Sequence, residues 1–152
     1  MNKKALQIAQ LSAKLKAFTM AGSTIVPSMG WINAIRTTIG MSLEQLGKKL
    51  MITKQSMKEI EQREVEGSIT INRLKEVAEA LDMQFVYGFI PKDNSIDTMI
   101  ARKSMEAATK IVLRTSQTMK LEDQENTKER IDKATRELAD QLKNDISKVI
   151  WD

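Results

Sequence analysis

The sequence contains no cysteine and no histidine among its 152 residues. Their absence excludes disulfides, thiol nucleophiles, imidazole bases and nearly all zinc sites. Aromatic residues make up only 4% of the chain, so a core has to rest on aliphatic side chains and on the ten methionines. No nucleophile–base pair and no ligand cluster remains in the sequence. We therefore expect no catalytic residue, no metal site and no cofactor, and a protein that is not an enzyme.

Long apolar runs are also missing from the chain. No stretch approaches the ~20 residues that a membrane span needs, and polar residues interrupt the apolar stretch that a signal peptide would require. We therefore expect a cytoplasmic protein that does not contact a membrane. Acidic residues are absent before Glu44, while the same stretch carries four lysines and Arg36, so the net charge of +4 originates at the N-terminus. Such an asymmetry is compatible with a polyanionic partner.

Helical periodicity dominates the rest of the sequence. Apolar residues recur in steps of three and four, while the breaker Gly40 and the capping residues Ser42 and Thr53 mark boundaries between short segments. The predicted helices cover residues 3–18, 31–39, 43–50, 54–62, 71–82, 95–119 and 126–150. Residues 63–68 are predicted to form a loop.

One segment has a different pattern. Residues 83–90, MQFVYGFI, are rich in β-forming side chains and precede Pro91, so they are predicted to form a short strand. A lone strand has to pair with another stretch, such as residues 23–27, or with the same strand of a second subunit. The predicted fold is therefore mainly α: a helix-turn-helix bundle with one short β-strand and two long C-terminal helices.

The centre of the chain combines two short helices with a tight connection. This is the plan of a helix-turn-helix motif, whose second helix places its N-terminal residues in the major groove of DNA. Residues 53–61, TKQSMKEIE, have a capped start, polar side chains in the first turns, and Met57 and Ile60 as apolar anchors. An ordinary solvated helix is the alternative interpretation of this segment taken by itself.

The candidate DNA-binding residues lie at the end of the first of these helices and at the start of the second. Lysine can hydrogen-bond guanine edges, glutamine can pair with adenine, and lysines at a helix end suit phosphates. These candidates are Lys48, Lys49, Thr53, Lys54, Gln55, Ser56 and Lys58.

Residues 40–81, GMSLEQLGKKLMITKQSMKEIEQREVEGSITINRLKEVAEAL, resemble the Xre-type, phage-repressor-like helix-turn-helix family. The matching features are the Leu46–Gly47 pair in the first helix, the Thr53 start of the second and its Ile60–Glu61 end. A narrower resemblance covers nearly the whole chain. The motifs GWINAIRTTIGMS, GSIT, VYGFIP, MKLEDQ and the terminal IWD are similar to the family called mobile mystery protein A.

The resemblance implies a bacterial DNA-binding regulator that is similar to antitoxins. It also implies autoregulation of an operon shared with a Fic-domain protein, which is the partner that the family suggests. By the family pattern, Lys54, Gln55 and Lys58 face bases, while Ser42 and Lys49 lie near the phosphate backbone.

Two positions depart from the Xre-type pattern. The family usually has glutamine where this chain has Leu43, and glycine in the turn where this chain has Met51. We expect either a positive φ at Met51, at a cost of about 1 kcal/mol, or a turn of different shape.

One short helix reads few bases, so we expect a homodimer on double-stranded DNA. Either the strand or the C-terminal helices could form its interface. The predicted divisions are an N-terminal helix and loop (1–29), a helix-turn-helix DNA-binding domain (30–82), a strand (83–91) and a C-terminal helical region for dimerisation or partner binding (92–152). The alternative function is a protein-interaction module that binds a partner through the C-terminal helices without specific DNA binding.

Overall fold

The structure, a computed structural model, describes residues 2–121 and 127–152, with residues 119–121 described by their backbone alone. The α-helices are α1 (Lys3–Lys16), α2 (Trp31–Thr38), α3 (Leu43–Lys49), α4 (Lys54–Glu66), α5 (Ile71–Ala80), α6 (Ile96–Leu121) and α7 (Lys128–Asp145). Short 3-10 turns cover Thr19–Ser23 and Lys148–Trp151. The mainly α class predicted from the sequence is confirmed. No helix in the described ranges is long and apolar enough to cross a membrane.

The chain divides into two compact units. We call Met20–Gly88 the central unit, which contains α2 to α5, and we call Met1–Thr19 with Phe89–Asp152 the terminal unit. In the terminal unit, α6 and α7 pack against each other as a hairpin, and α1 and the 3-10 turn Lys148–Trp151 pack on α6. The motif at 119–124 and the start of the last predicted helix, at residue 126, lie partly or wholly outside the described residues.

The predicted β-strand at residues 83–90 was wrong, because the described residues contain no strand. The β-forming side chains are present, but a strand also needs a partner, and residues 23–27 do not pair with this segment. The rings of Phe85 and Tyr87 stack with centroids 6.0 Å apart, so these two side chains lie on the same side of the segment.

The core of the central unit draws on all four of its helices. It contains Ile32 from α2, Leu46 from α3, Met57 and Ile60 from α4, and Val77 from α5, with Leu81 at the end of α5. The prediction that Met57 and Ile60 point inward is confirmed. Fully burying one such side chain contributes about 1.5–3 kcal/mol, so these contacts hold α4 firmly to its neighbours.

Helix α4 is longer than its sequence pattern indicated. Residues 63–66, predicted to belong to a loop, continue the helix to Glu66. Gly67 then adopts the left-handed conformation, with φ at 79°, and ends the helix. The N–H of Ser68 donates back to the carbonyl oxygen of Arg63 at 2.9 Å and so satisfies a terminal acceptor of the helix.

The terminal unit has its own polar anchor at the start of α6. Ser95 caps this helix, because the N–H of Thr98 donates to Ser95 Oγ at 3.0 Å. Arg102 holds the preceding turn, with its Nε 2.9 Å from Asp93 Oδ1 and its Nη2 3.0 Å from Oδ2. This hydrogen-bonded guanidinium holds the pKa of the Asp93 carboxyl below its usual value. Helix α7 ends before residue 150, because Ile146 takes a left-handed φ of 48°.

Candidate nucleic-acid interface

A tight turn of residues 50–53 joins α3 to α4. The N–H of Ile52 donates to the carbonyl oxygen of Gly47 at 2.9 Å, so the turn folds directly back onto α3. A Cβ atom added to Gly47 would lie 2.9 Å from the carbonyl oxygen of Ile52, closer than packed atoms approach. Met51 adopts the left-handed conformation with φ at 57°. Methionine therefore occupies the backbone geometry for which the Xre-type pattern uses glycine.

Hydroxyl groups cap both helices of this pair, as the sequence predicted. The N–H of Gln45 donates to Ser42 Oγ at 3.0 Å, and the N–H of Ser42 donates to Gln45 Oε1 at 2.8 Å, which completes a capping box on α3. Thr53 Oγ1 accepts from the N–H of Ser56 and donates to Ser56 Oγ, each at 3.0 Å. The hydroxyl hydrogens of Ser42 and Ser56 have no acceptor among the described residues, whereas that of Thr53 is used inside the turn.

The outward side of α4 begins with three polar side chains. Lys54, Gln55 and Lys58 are exposed, whereas Met57 and Ile60 of the same helix are buried. The salt bridges of the described residues involve neither of these lysines. The helix also has no acidic residue in its first turn. The structure thus brings the three predicted base-facing residues onto one solvated surface, which we call the α4 front.

Lys48 and Lys49 lie at the last turn of α3 and are exposed. Lys48 Nζ is 3.8 Å from Glu44 Oε1, an exposed pair between residues four apart. Such a pair contributes about 0.3–0.5 kcal/mol, so a phosphate group could replace the carboxylate at little cost. Lys49 belongs to no salt bridge of the described residues.

Two carboxylates on the inner side of α4 were missed by the sequence analysis. Glu61 is buried and receives two hydrogen bonds from Arg36 of α2, Nε to Oε2 at 2.7 Å and Nη2 to Oε1 at 3.1 Å. Asn33 donates to the same carboxylate at 3.0 Å, and Arg36 Nη1 donates to the carbonyl oxygen of Met41 at 3.0 Å. Every charged atom of this pair therefore has a partner close by, which offsets the cost of burying it.

The second missed carboxylate is Glu64, which caps α2 from the side of α4. Its Oε2 accepts from the N–H of Trp31 at 2.6 Å, and its Oε1 accepts from the N–H of Ile32 at 2.9 Å. A carboxylate at a helix N-terminus also interacts favourably with the helix dipole. The signal was present in the sequence, since Glu61 and Glu64 continue the apolar stripe of α4, where an acidic residue needs a buried partner.

One more residue on the α4 front was not predicted. Glu59 is exposed beside Gln55 and Lys58, one helical turn after Gln55. A carboxylate can accept a hydrogen bond from the amino group of cytosine, but it repels phosphates. The α4 front therefore has a basic start and an acidic margin.

No protein-family model, curated protein or solved structure matches this chain. Within residues 2–121 and 127–152, no group of three or more acidic residues is arranged to hold a metal ion.

Proposed function

We propose that this protein is a sequence-specific DNA-binding transcriptional regulator whose α4 front enters the major groove. The observation that carries the proposal is the electrostatics of the start of α4. Lys54 and Lys58 are like charges four residues apart, and Lys54 lies in the first turn, at the positive end of the helix dipole, where the helix has no acidic residue. This arrangement is unfavourable in the free protein. A polyanion bound at the start of α4 would instead interact favourably with both lysines.

The individual roles follow from side-chain chemistry. Lys54 and Lys58 can donate to guanine O6 and N7, and Gln55 can form a bidentate pair with adenine, worth about 1–3 kcal/mol of discrimination. Ser56 has a hydroxyl hydrogen available for a base or a phosphate. Thr53 contributes mainly by fixing the start of α4.

Phosphate contacts are assigned to the neighbouring elements. Ser42 offers its hydroxyl hydrogen at the start of α3, and Lys48 and Lys49 offer ammonium groups at its end. Such contacts position a protein on DNA and add affinity without reading sequence.

The wider biological role rests on the family resemblance. We propose a homodimer on double-stranded DNA in the cytoplasm, acting as an antitoxin-like autoregulator of an operon with a Fic-domain protein. Two-fold symmetry would place two copies of α4 on two half-sites and double the number of bases read.

Binding of labelled duplex DNA, followed by fluorescence anisotropy, tests the proposal. The duplexes are a fragment from upstream of the coding sequence and a shuffled fragment of the same composition. We expect the wild type to prefer the upstream fragment, with an affinity that falls steeply as salt rises. The Lys54→Ala and Gln55→Ala double variant should lose that preference while keeping its helical circular dichroism.

A matched control removes the same two residue types elsewhere. Gln141→Ala with Lys143→Ala changes exposed positions on α7 and should bind like the wild type. The assignment of α4 is contradicted if the Lys54 and Gln55 double variant still prefers the upstream fragment as strongly as the wild type. The DNA-binding function itself fails if no upstream fragment competes better than shuffled DNA at any salt concentration.

A second function has one observation in its favour. The α6–α7 hairpin has an open, largely apolar groove of about 520 Å³, lined by Ile111, Val112, Ile131, Ala134 and Leu138 among others. Under this alternative the hairpin binds a protein partner, and specific DNA binding is absent. Co-expression with the product of the adjacent reading frame tests it, because Ile111→Glu should then abolish co-purification. Retention of the partner by that variant would count against the groove.

A further inference from the structure

The central unit contains an open, largely apolar groove of about 410 Å³. Most of its lining comes from α2, from α5 and from residues 83–86, and Glu64 of α4 is the one further residue that borders it. Sites for small organic molecules have volumes of about 300–1,000 Å³ and combine a mostly apolar lining with a few polar groups. The groove therefore has the size and the character of a small-molecule site.

Glu64 gives this groove its charge. It is the only charged side chain among the described residues that line the groove, and it is partly buried. The salt bridges of the described residues do not include it. Its carboxylate accepts from the N–H groups of Trp31 and Ile32 at the start of α2. A helix N-terminus carries only about half an elementary positive charge, so part of the negative charge of Glu64 is not offset.

The same carboxylate has room for another hydrogen-bond donor. Each carboxylate oxygen can accept two hydrogen bonds, and each oxygen of Glu64 accepts one from the described residues. Two aromatic residues also line the groove, Phe85 and the 43% exposed Trp31. Aromatic faces attract cations, and the indole of tryptophan does so most strongly. A carboxylate and aromatic side chains in one apolar lining favour an ammonium group over a neutral or anionic group.

We propose that this groove binds a small molecule in which an ammonium group is attached to an apolar group. The ammonium group donates to the Glu64 carboxylate, and the apolar group contacts aliphatic side chains such as Ile35 and Leu74. A neutral molecule of the same shape loses the charge-assisted hydrogen bond, and an anion is repelled. The inference rests on the groove itself and does not require DNA binding.

Three probes of nearly the same shape test the charge preference. They are cyclohexylmethylammonium, cyclohexylmethanol and cyclohexanecarboxylate, and none of them absorbs where tryptophan is excited. In a Trp151→Phe background, Trp31 is the only tryptophan, so its fluorescence reports on the groove that it lines. We expect the ammonium compound to bind about tenfold more tightly than the alcohol, through a partly exposed ion pair and a cation–π contact. The carboxylate should bind most weakly.

Variants assign this preference to the groove. Glu64→Gln should bind the ammonium compound and the alcohol with equal affinity. Glu79→Gln neutralises an exposed carboxylate on α5 that does not line the groove, so it should keep the preference of the parent protein. Because Glu64 also caps α2, a second variant leaves it in place. Ala78→Leu adds a larger side chain to the lining and should weaken binding of the ammonium compound and the alcohol alike, with unchanged helical circular dichroism.

Several results would overturn the inference. One is that the ammonium compound binds no more tightly than the alcohol, or does not bind at millimolar concentration. Another is that Glu64→Gln keeps the full preference, or that Ala78→Leu binds both compounds as the parent protein does. Binding that weakens as the protein concentration rises would mean that a second copy of the chain covers the groove, which also overturns the inference.

Discussion

Replacing Met51 with glycine should stabilise the central unit. An L-residue in the left-handed region carries a cost of roughly 1–2 kcal/mol, which glycine does not have. Glycine itself lowers the free energy of unfolding by about 0.5–1 kcal/mol, because it increases the conformational entropy of the unfolded chain. Met51 is 93% exposed, so its side chain contributes almost no burial that the change would remove. The net expectation is a gain of about 0.5–1 kcal/mol in the free energy of unfolding.

The matched control is Met20→Gly, which makes the same replacement in the same unit. Met20 is 87% exposed, but its backbone is not among the positive-φ positions. It should therefore lose about 0.5–1 kcal/mol from the entropy of glycine alone. The two methionine-to-glycine variants should differ by roughly 1–2 kcal/mol, which isolates the effect of φ.

Urea unfolding followed by tryptophan fluorescence measures this difference. The chain has two tryptophans, Trp31 in the central unit and Trp151 in the terminal unit. A Trp151→Phe background leaves Trp31 as the sole reporter of the unit that contains Met51. In a domain of this size, 1 kcal/mol corresponds to about 4–8 °C in Tm, so a thermal scan gives an independent measurement. If Met51→Gly destabilises as much as Met20→Gly, the strain assigned to this turn is absent.

Three further predictions concern other contacts. Gly47→Ala should destabilise the central unit by about 1–3 kcal/mol in urea unfolding, because the added Cβ would contact the carbonyl oxygen of Ile52 in the turn. Alanine normally favours a helix interior, so a stabilised variant would contradict that contact. Arg36→Leu should lower the free energy of unfolding by about 3–5 kcal/mol, since it leaves the Glu61 carboxylate buried without its partner. Adding Glu61→Leu should recover much of that loss. A double variant as unstable as Arg36→Leu would argue against the pairing. Arg102→Gln should raise the pKa of Asp93 toward its ordinary value, measured by NMR titration of the carboxyl carbon. Because folding lowers this pKa, the pair stabilises the protein at neutral pH and loses that contribution as pH falls through the folded pKa; an unchanged titration would rule out the contact.

Local signals in the sequence accounted for most of the helices. Apolar periodicity and the hydroxyl caps at Ser42 and Thr53 depend only on neighbouring residues, so they could be predicted without a structure. The end of α4 was misplaced because the charged residues before Gly67 resembled a loop, while the glycine itself was the real terminator. The break at Ile146 could not be predicted, since a β-branched residue at positive φ follows no local preference.

Properties that depend on distant partners were not predictable in the same way. Residues 83–90 have the composition of a strand, but strand formation depends on a second strand, which no local pattern can supply. The contacts of Glu61 with Arg36 and of Glu64 with Trp31 join residues that are 25 and 33 positions apart. The sequence placed Lys54 and Gln55 on a polar surface correctly, because exposure of a capped helix start is a local property.

The two carboxylates on the inner side of α4 have a consequence for how this helix could change. Helix α4 contacts the rest of the central unit through one stripe of residues: Met57, Ile60, Glu61 and Glu64. None of the residues on the α4 front belongs to this stripe. Exchanging an exposed side chain usually alters stability by less than about 0.5 kcal/mol. Under the proposed function, substitutions at the α4 front could therefore change the preferred DNA sequence without destabilising the rest of the central unit.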